Sequence, residues 1–131
     1  MKKLLTTMAV AAAVSTVSAQ EVMKKLSDGT YVVNTTTLAD DVDGYNAPTP
    51  VEVHIRKDRI VKVVPLKNIE GPKYFEAVKK ELLPKYEGIQ VKNFARTKLD
   101  GVTGATFTTN AIKENVSRGV DYYLKNKKKV K

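Results

Sequence analysis

The sequence Val51-Glu52-Val53-His54-Ile55-Arg56, directly after Pro50, alternates apolar and polar side chains. Because successive side chains of a β-strand point to opposite faces, this alternation predicts a strand with one buried face. A polar turn, Lys57-Asp58, follows, and residues 60–64 form a second apolar run. The two runs predict a β-hairpin, and the alternation places His54 on its polar face as an ordinary surface histidine.

The segments around the hairpin supply one more strand, a loop and a helix. Residues 30–37 are rich in β-branched and aromatic side chains after the turn signal Asp28-Gly29, which indicates a strand. Residues 39–50 contain two prolines and Asp43-Gly44, as is typical of a loop. Pro72 suits the first turn of a helix, and the pattern ends at Pro84. The apolar positions of this helix, expected in the core, are Tyr74, Phe75, Val78 and Leu82.

The C-terminal part of the chain predicts a strand and then a longer helix. Residues 90–98 contain Val91 and Phe94 among basic residues and are interpreted as a strand. An apolar stripe at helical spacing predicts a helix from about Thr109 to Leu124, with Thr108 or Thr109 as its N-cap. Strands with interleaved helices in so short a chain favour an α+β fold, a small mainly antiparallel sheet with two packed helices in a single domain.

Both ends of the chain differ in character from its middle. Residues 1–19 have the parts of a secretory signal peptide: Lys2-Lys3, an apolar run, and Val17-Ser18-Ala19 as a cleavage site. This predicts an exported, periplasmic or otherwise extracytoplasmic protein, without a later membrane span or a lipid-bearing cysteine. Residues 20–26 are interpreted as a flexible lead, residues 27–125 as the domain, and residues 126–131 as a basic tail.

The amino-acid composition limits which cofactors and metal sites the protein can have. The chain lacks cysteine, and His54 is its one histidine, which excludes iron-sulfur clusters, thiolate metal sites and bis-histidine haem. No metal site and no catalytic side chain is predicted, so redox work would need an organic cofactor. The formal net charge is +9, but export argues against nucleic acid as a partner. The basic tail is either a solvated end or a site of peripheral contact with anionic lipid headgroups or an acidic partner.

The segment before the last helix has the features of an anion cradle. It reads Asp100-Gly101-Val102-Thr103-Gly104-Ala105-Thr106-Phe107-Thr108-Thr109-Asn110. Glycines allow close backbone approach to a ligand, and the positive end of a helix favours a phosphate. The hydroxyls of Thr103, Thr106, Thr108 and Thr109 can donate hydrogen bonds or be acylated or phosphorylated. The residues by themselves leave two interpretations open, a phosphate site and a helix start that binds nothing.

This segment resembles a known motif. Residues 100–106 are similar to the Asp-x-x-Ser/Thr-Gly-Ala-Thr motif of the FMN-binding domain family, in which the last threonine is joined to the phosphate of FMN. The resemblance implies covalent FMN at Thr106, installed by a flavin transferase that uses FAD and magnesium. It also implies that the rest of the motif and the start of the helix after it surround the cofactor, namely Asp100, Gly101, Thr103, Gly104, Ala105, Thr108 and Thr109.

The resemblance extends more loosely over residues 27–125. It includes Asp28-Gly29-Thr30-Tyr31 and residues 43–48, whereas Ile69-Glu70-Gly71-Pro72 replaces a Glu-Thr-Pro-Gly stretch common in the family. Tyr45 is the candidate for a flat surface against the flavin ring or, alternatively, an anchor of its loop. Asn46 is a candidate hydrogen-bond partner of the ring edge. Asp100 would either help the transferase engage the site or cap the turn, and Phe107 is expected in the core.

Together these observations predict an exported flavoprotein module that carries FMN and transfers electrons between redox partners that the sequence does not identify. Such a module is an electron carrier rather than a stand-alone enzyme, and the protein's task is to hold and orient the cofactor. Two alternatives remain open at this point. The domain could bind FMN or another phosphorylated ligand noncovalently, or it could be a flavin-free interaction module.

Overall fold

Four antiparallel strands form one sheet in the chain order β1-β2-β3-β4. The computed structural model describes residues 22–44, 47–69, 72–96, 99 and 106–129. The strands are β1 (Met23–Lys25), β2 (Tyr31–Asn34), β3 (Val51–Arg56) and β4 (Arg59–Pro65). Since each strand pairs with the next along the chain, the sheet is a meander that needs no crossover connection.

The β3–β4 hairpin has the predicted form. Val51, Val53 and Ile55 are fully buried, and His54 lies on the opposite, polar face with its Nε2 3.1 Å from Glu52 Oε1. The turn residues Lys57 and Asp58 have φ angles of 54° and 59°. Two consecutive positive φ angles are typical of a two-residue hairpin turn whose twist matches that of the strands.

Two helices, α1 (Pro72–Glu81) and α2 (Thr106–Asn126), complete the domain. Their apolar side chains join the buried face of the sheet in one core, to which α1 contributes Val78 and α2 contributes Ile112, Val116 and Val120. The predicted α+β fold is therefore confirmed. Phe75 packs against this core as expected, and the side chain of Tyr74 lies outside the described residues. No helix in the described part of the chain is long and apolar enough to cross a membrane.

The predicted strand over residues 90–98 is wrong. Val91–Arg96 is a 3₁₀ helix, and Gln90 makes one isolated bridge with Arg59. The spacing of Val91 and Phe94 explains the difference, because side chains three residues apart fall on the same side of a 3₁₀ helix. Val91 is buried, and Phe94 packs against the core and stacks on Tyr86.

The start of α2 also differs from the prediction. The helix begins at Thr106 rather than Thr109, so Thr108 and Thr109 lie in its first turn instead of capping it. Both are buried, at 3% and 2% exposure. The buried positions of α2 include two threonines, Asn115 and Gly119. A prediction that counts only large apolar residues therefore places the start of the helix about one turn too late.

Both segments assigned to the ends of the chain contribute to the fold. Met23, within the predicted flexible lead, is fully buried and pairs with Val33 in the sheet. Lys127, within the predicted basic tail, begins a 3₁₀ turn after α2, and its Nζ lies 3.1 Å from Asp58 Oδ1. The folded unit therefore extends at least from Met23 to Lys127.

The hairpin turn is bonded to the C-terminal end of α2 through Asp58. The Tyr123 hydroxyl donates to Asp58 Oδ1 at 2.5 Å, Lys127 donates to the same atom, and the Val91 amide donates to the Asp58 carbonyl at 2.9 Å. The hydroxyl, and then the ammonium group, lower the pKa of the Asp58 carboxyl. This carboxylate consequently favours the folded state when it is ionised.

We expect Asp58→Asn to destabilise the protein at neutral pH by about 1 kcal/mol, since these charge-assisted bonds are exposed to water. The folded pKa lies below the unfolded one. The stabilisation is therefore complete above the unfolded pKa and is lost as the pH falls through the folded pKa. Asparagine accepts a positive φ, so the change removes the charge without backbone strain.

Urea unfolding of both proteins between roughly pH 7 and pH 2.5 measures this effect. The stability difference should shrink towards zero in acid. The matched control is Asp121→Asn, which removes an exposed carboxylate paired with Lys125 along α2 and should show a smaller difference. A deficit at Asp58 that stayed constant with pH would contradict the electrostatic explanation.

Candidate functional site

The contacts of α2 with the sheet define two ends of the domain. An added Cβ at Gly119 would lie 3.0 Å from Val53, and Tyr123 bonds to Asp58, beyond the C-terminal end of β3. The helix therefore runs in the same direction as β3. Its first residue, Thr106, must lie at the end of the domain where β3 begins. We call this the threonine end, and its described threonines include Thr35, Thr49, Thr106, Thr108 and Thr109.

The hydroxyl-bearing residues of the motif differ in accessibility. Thr106 is exposed at the first position of α2, whereas Thr108 and Thr109 are buried in the same turn. No acidic residue lies in this first turn, so the positive end of the helix dipole is not opposed by a carboxylate there. Among these three threonines, Thr106 is the one that a large external reactant can reach.

The remainder of the motif lies outside the described residues, but the chain on both sides of it is placed. Asp100, Gly101, Thr103, Gly104 and Ala105 belong to this remainder. On one side, Lys113 Nζ donates to the carbonyl of Leu99 at 2.5 Å, and on the other side the helix begins at Thr106. The motif therefore connects two points that are both held against the first turns of α2.

Residues 43–48 form a closed loop at the same end. Asp43 and Pro48 pair in an isolated bridge, and the Gly44 amide donates to the Ala47 carbonyl at 2.9 Å. Tyr45 and Asn46, the candidate ring contacts, lie outside the described residues. Because the loop leads directly into β3, it is on the side of the domain where α2 begins.

Arg118, which the sequence did not indicate as a functional residue, is bonded to the segment that precedes this loop. Arg118 donates to the Leu38 carbonyl at 3.0 Å and to Asp41 Oδ1 at 2.6 Å, while its Nε donates to Glu114 at 2.9 Å. Asp41, and then Glu114, raise the pKa of Arg118. The guanidinium thus ties the segment before the loop to α2. In the sequence, the i,i+4 spacing of Glu114 and Arg118 indicated the ion pair along the helix, but nothing indicated the bonds from Arg118 to residues 38 and 41.

A buried polar pair, Thr35 and Asn115, links the sheet to α2 at the same end of the domain. Thr35 is fully buried and donates from its hydroxyl to Asn115 Oδ1 at 2.5 Å, and Asn115 donates to the Ala111 carbonyl at 2.9 Å. The amide of Val51 donates to the Thr35 hydroxyl at 3.0 Å. These bonds fix β2, β3 and α2 relative to one another, since buried polar groups are costly to leave unpaired.

One buried hydroxyl at this end has no partner among the residues that the structure describes. Thr49 is fully buried, and its Oγ1 forms no hydrogen bond with any group that the structure describes. Such groups are rare in folded proteins, and a bound water or ion is one recognised reason for them. Thr49 lies three residues after Asn46, at the base of the closed loop.

Phe107 is not in the core, contrary to expectation. Its side chain is 64% exposed and follows Thr106 directly. An exposed aromatic side chain next to the candidate attachment point offers apolar surface to a planar ring. The residues of the threonine end therefore fit a phosphorylated flavin. They supply an accessible hydroxyl, a first helical turn without acidic residues, an exposed aromatic side chain and a buried hydroxyl that is unpaired among the described residues.

The comparison with protein-family models gives one match, to the FMN-binding domain, over residues 44–121. The match includes β3, β4, both helices up to Asp121 and the whole threonine motif. Searches among curated proteins and among solved structures gave no match. Since the family model covers more than half of the chain, the protein belongs to the FMN-binding domain family, and FMN is its cofactor.

Proposed function

We propose that this protein is an exported flavoprotein module in which FMN is joined by a phosphoester to Thr106 and which passes electrons between redox partners. The exposure of Thr106 at the start of α2 carries the proposal. The other threonines in the first turn of α2, Thr108 and Thr109, are buried, and an enzyme that modifies a folded domain needs an accessible hydroxyl.

The attachment step follows from the chemistry of a hydroxyl and a flavin dinucleotide. The Thr106 oxygen forms a bond to the phosphorus on the FMN side of FAD, the bond between the two phosphates breaks, and AMP leaves with loss of the hydroxyl proton. A flavin transferase that uses FAD and magnesium would catalyse this step. The product keeps a negative phosphodiester at the positive end of the α2 dipole, where the first turn holds no competing carboxylate.

The residues around Thr106 would hold and orient the cofactor. Phe107 offers apolar surface next to the attachment point, and Tyr45 and Asn46 are our candidates for contacts on the loop side. Thr49 has a buried hydroxyl before β3 that forms no hydrogen bond within the described part of the chain. Bound FMN supplies reversible one- or two-electron transfer, and the protein contributes its position and surroundings.

Export follows from the signal-like residues 1–19. Outside the cytoplasm a cofactor held only by weak contacts would be lost to dilution, which is a physical reason for a covalent bond. The partners would be the flavin transferase during maturation and unidentified redox proteins afterwards.

Intact mass spectrometry of protein produced with a flavin transferase tests the proposal. We expect one added FMN less one water, and a yellow colour that remains with the polypeptide in denaturant. Protein produced without the transferase is the control and should have the unmodified mass. Wild-type protein that stayed colourless beside an active transferase would refute the covalent bond. Protein that is yellow but releases its flavin in denaturant would instead show noncovalent FMN.

A further inference from the structure

Cationic side chains gather at the end of the domain opposite to Thr106. In the sheet, Lys25 pairs with Tyr31, which pairs with Ile55, and Arg56 pairs with Arg59 across the hairpin. The hairpin turn contacts the 3₁₀ helix at Val91 and the end of α2 at Tyr123. We call this surface the lysine end and define it by Lys25, Arg56, Lys57, Arg59, Lys92 and Lys127.

Two described carboxylates lie among the six cationic residues, and both are engaged. Asp28 accepts from the Thr30 amide at 2.9 Å, and the charge of Arg56 further lowers its pKa. Asp58 accepts bonds from Tyr123 and Lys127, and the charge of Lys92 further lowers its pKa. A cavity of about 290 Å³ opens beside it, and Lys57, Lys92 and Lys127 contribute to its lining. The sign of this surface is therefore positive, and the cavity admits a small anionic group.

Apolar side chains are exposed at the same end. Leu124 is 44% exposed and lines the cavity, and Leu26 is 39% exposed directly after Lys25. Exposed leucines among lysines and arginines are the combination by which peripheral proteins bind membranes, because the apolar groups enter the interface while the cations meet anionic headgroups. The exposed leucines would not contribute to the binding of a purely acidic protein partner.

The lysine end lies too far from Thr106 to be the docking site of a redox partner. Thr106 and Leu124 are 18 residues apart on one helix, which corresponds to about 27 Å at 1.5 Å per residue. A redox partner must come close to the flavin, so docking at the lysine end would leave it too far away. Attachment of the domain to a surface has no such requirement.

We propose that the lysine end binds a membrane surface containing anionic phospholipids, with Thr106 directed away from it. The backbone supports this role, since Lys57 and Asp58 are held at positive φ by the bonds to Val91 and Tyr123. The backbone that carries the Lys57 side chain is thus held in one conformation. The inference does not depend on the flavin and applies equally to protein that lacks it.

Flotation of the full chain with vesicles of phosphatidylglycerol and phosphatidylcholine in equal parts tests the proposal. The variant Arg56→Gln/Lys57→Gln/Lys92→Gln removes three exposed charges of the lysine end and leaves the Asp58 contacts in place. We expect its partition coefficient to fall roughly fivefold per charge, on the order of a hundredfold in all. The wild-type binding should weaken with added salt.

The matched control is Lys67→Gln/Lys73→Gln/Lys80→Gln, which has the same net charge but removes exposed lysines outside the lysine end. All three proteins carry the same residues 1–21, so the contribution of that segment cancels in the comparison. Circular dichroism verifies that each variant is folded. Equal losses in the two variants, or equal wild-type binding to pure phosphatidylcholine, would overturn the proposal. Tighter binding to polyglutamate than to the vesicles would overturn it in favour of an acidic protein partner.

Discussion

The variant Thr106→Ala is expected to lose all covalent flavin and to remain unmodified by mass when it is produced with a flavin transferase. Alanine lacks the oxygen that would form the phosphoester, and the neighbouring hydroxyls of Thr108 and Thr109 are buried. Alanine is also the best helix former. Because Thr106 is an exposed first residue of α2, we expect the free energy of unfolding to change by at most about 0.5 kcal/mol.

Two further variants make the result specific. Thr106→Ser keeps a hydroxyl at the same position and should restore attachment, whereas alanine should not. Ser117→Ala removes an exposed hydroxyl elsewhere on α2 and should leave attachment unchanged. If Thr106→Ala still gained the mass of FMN less water, peptide mapping would move the site to another hydroxyl, and Thr103 would be the first to test.

The variant Gly119→Leu is expected to lower the free energy of unfolding by about 3 kcal/mol, the upper part of the range for overpacked cores. At Gly119, α2 packs closely against the sheet. A Cβ at this position would lie 3.0 Å from Val53 Cγ2 and 3.2 Å from Thr35 Cγ2. Both neighbours are fully buried β-branched side chains with restricted χ1 angles, so leucine would push the helix off the sheet.

Chemical denaturation of Gly119→Leu measures this loss, and Ser117→Leu is its matched control. The control adds the same side chain to an exposed position of α2, and its stability should stay within about 0.5 kcal/mol of wild type. Gly119→Ala should be milder, because about 1 kcal/mol of helix propensity offsets part of the steric cost. A Gly119→Leu protein as stable as its control would contradict the close packing of α2 on β2 and β3.

The hairpin and the first helix could be predicted because their signals are local. The hairpin is determined by its own residues, namely the alternation from Val51 to Arg56 and the turn at Lys57-Asp58. In the same way, α1 begins at Pro72 as expected. The candidate attachment residue was likewise found from its motif, since Thr106 belongs to a contiguous pattern. Local periodicity depends on backbone geometry, which is the same in every protein.

Other features depended on residues far apart in the chain. Residues 91–96 became a 3₁₀ helix because Val91 bonds to the Asp58 carbonyl and packs into the core. Lys127 lies in an apparently solvated tail, yet its Nζ lies 3.1 Å from Asp58, 69 positions away. In both cases the partner cannot be read from the neighbouring sequence.

The threonine motif shows the same division. Its pattern of glycines and hydroxyls left a phosphate site and a helix start that binds nothing both open. By resemblance it indicated a family, without distinguishing one threonine from another in accessibility. Packing of α2 made that distinction, because the helix begins at Thr106 and turns Thr108 and Thr109 into the protein. Periodicity along one segment predicts which side of a helix is apolar, but the burial of a threonine, an asparagine or a glycine on that side depends on what the rest of the chain packs against it.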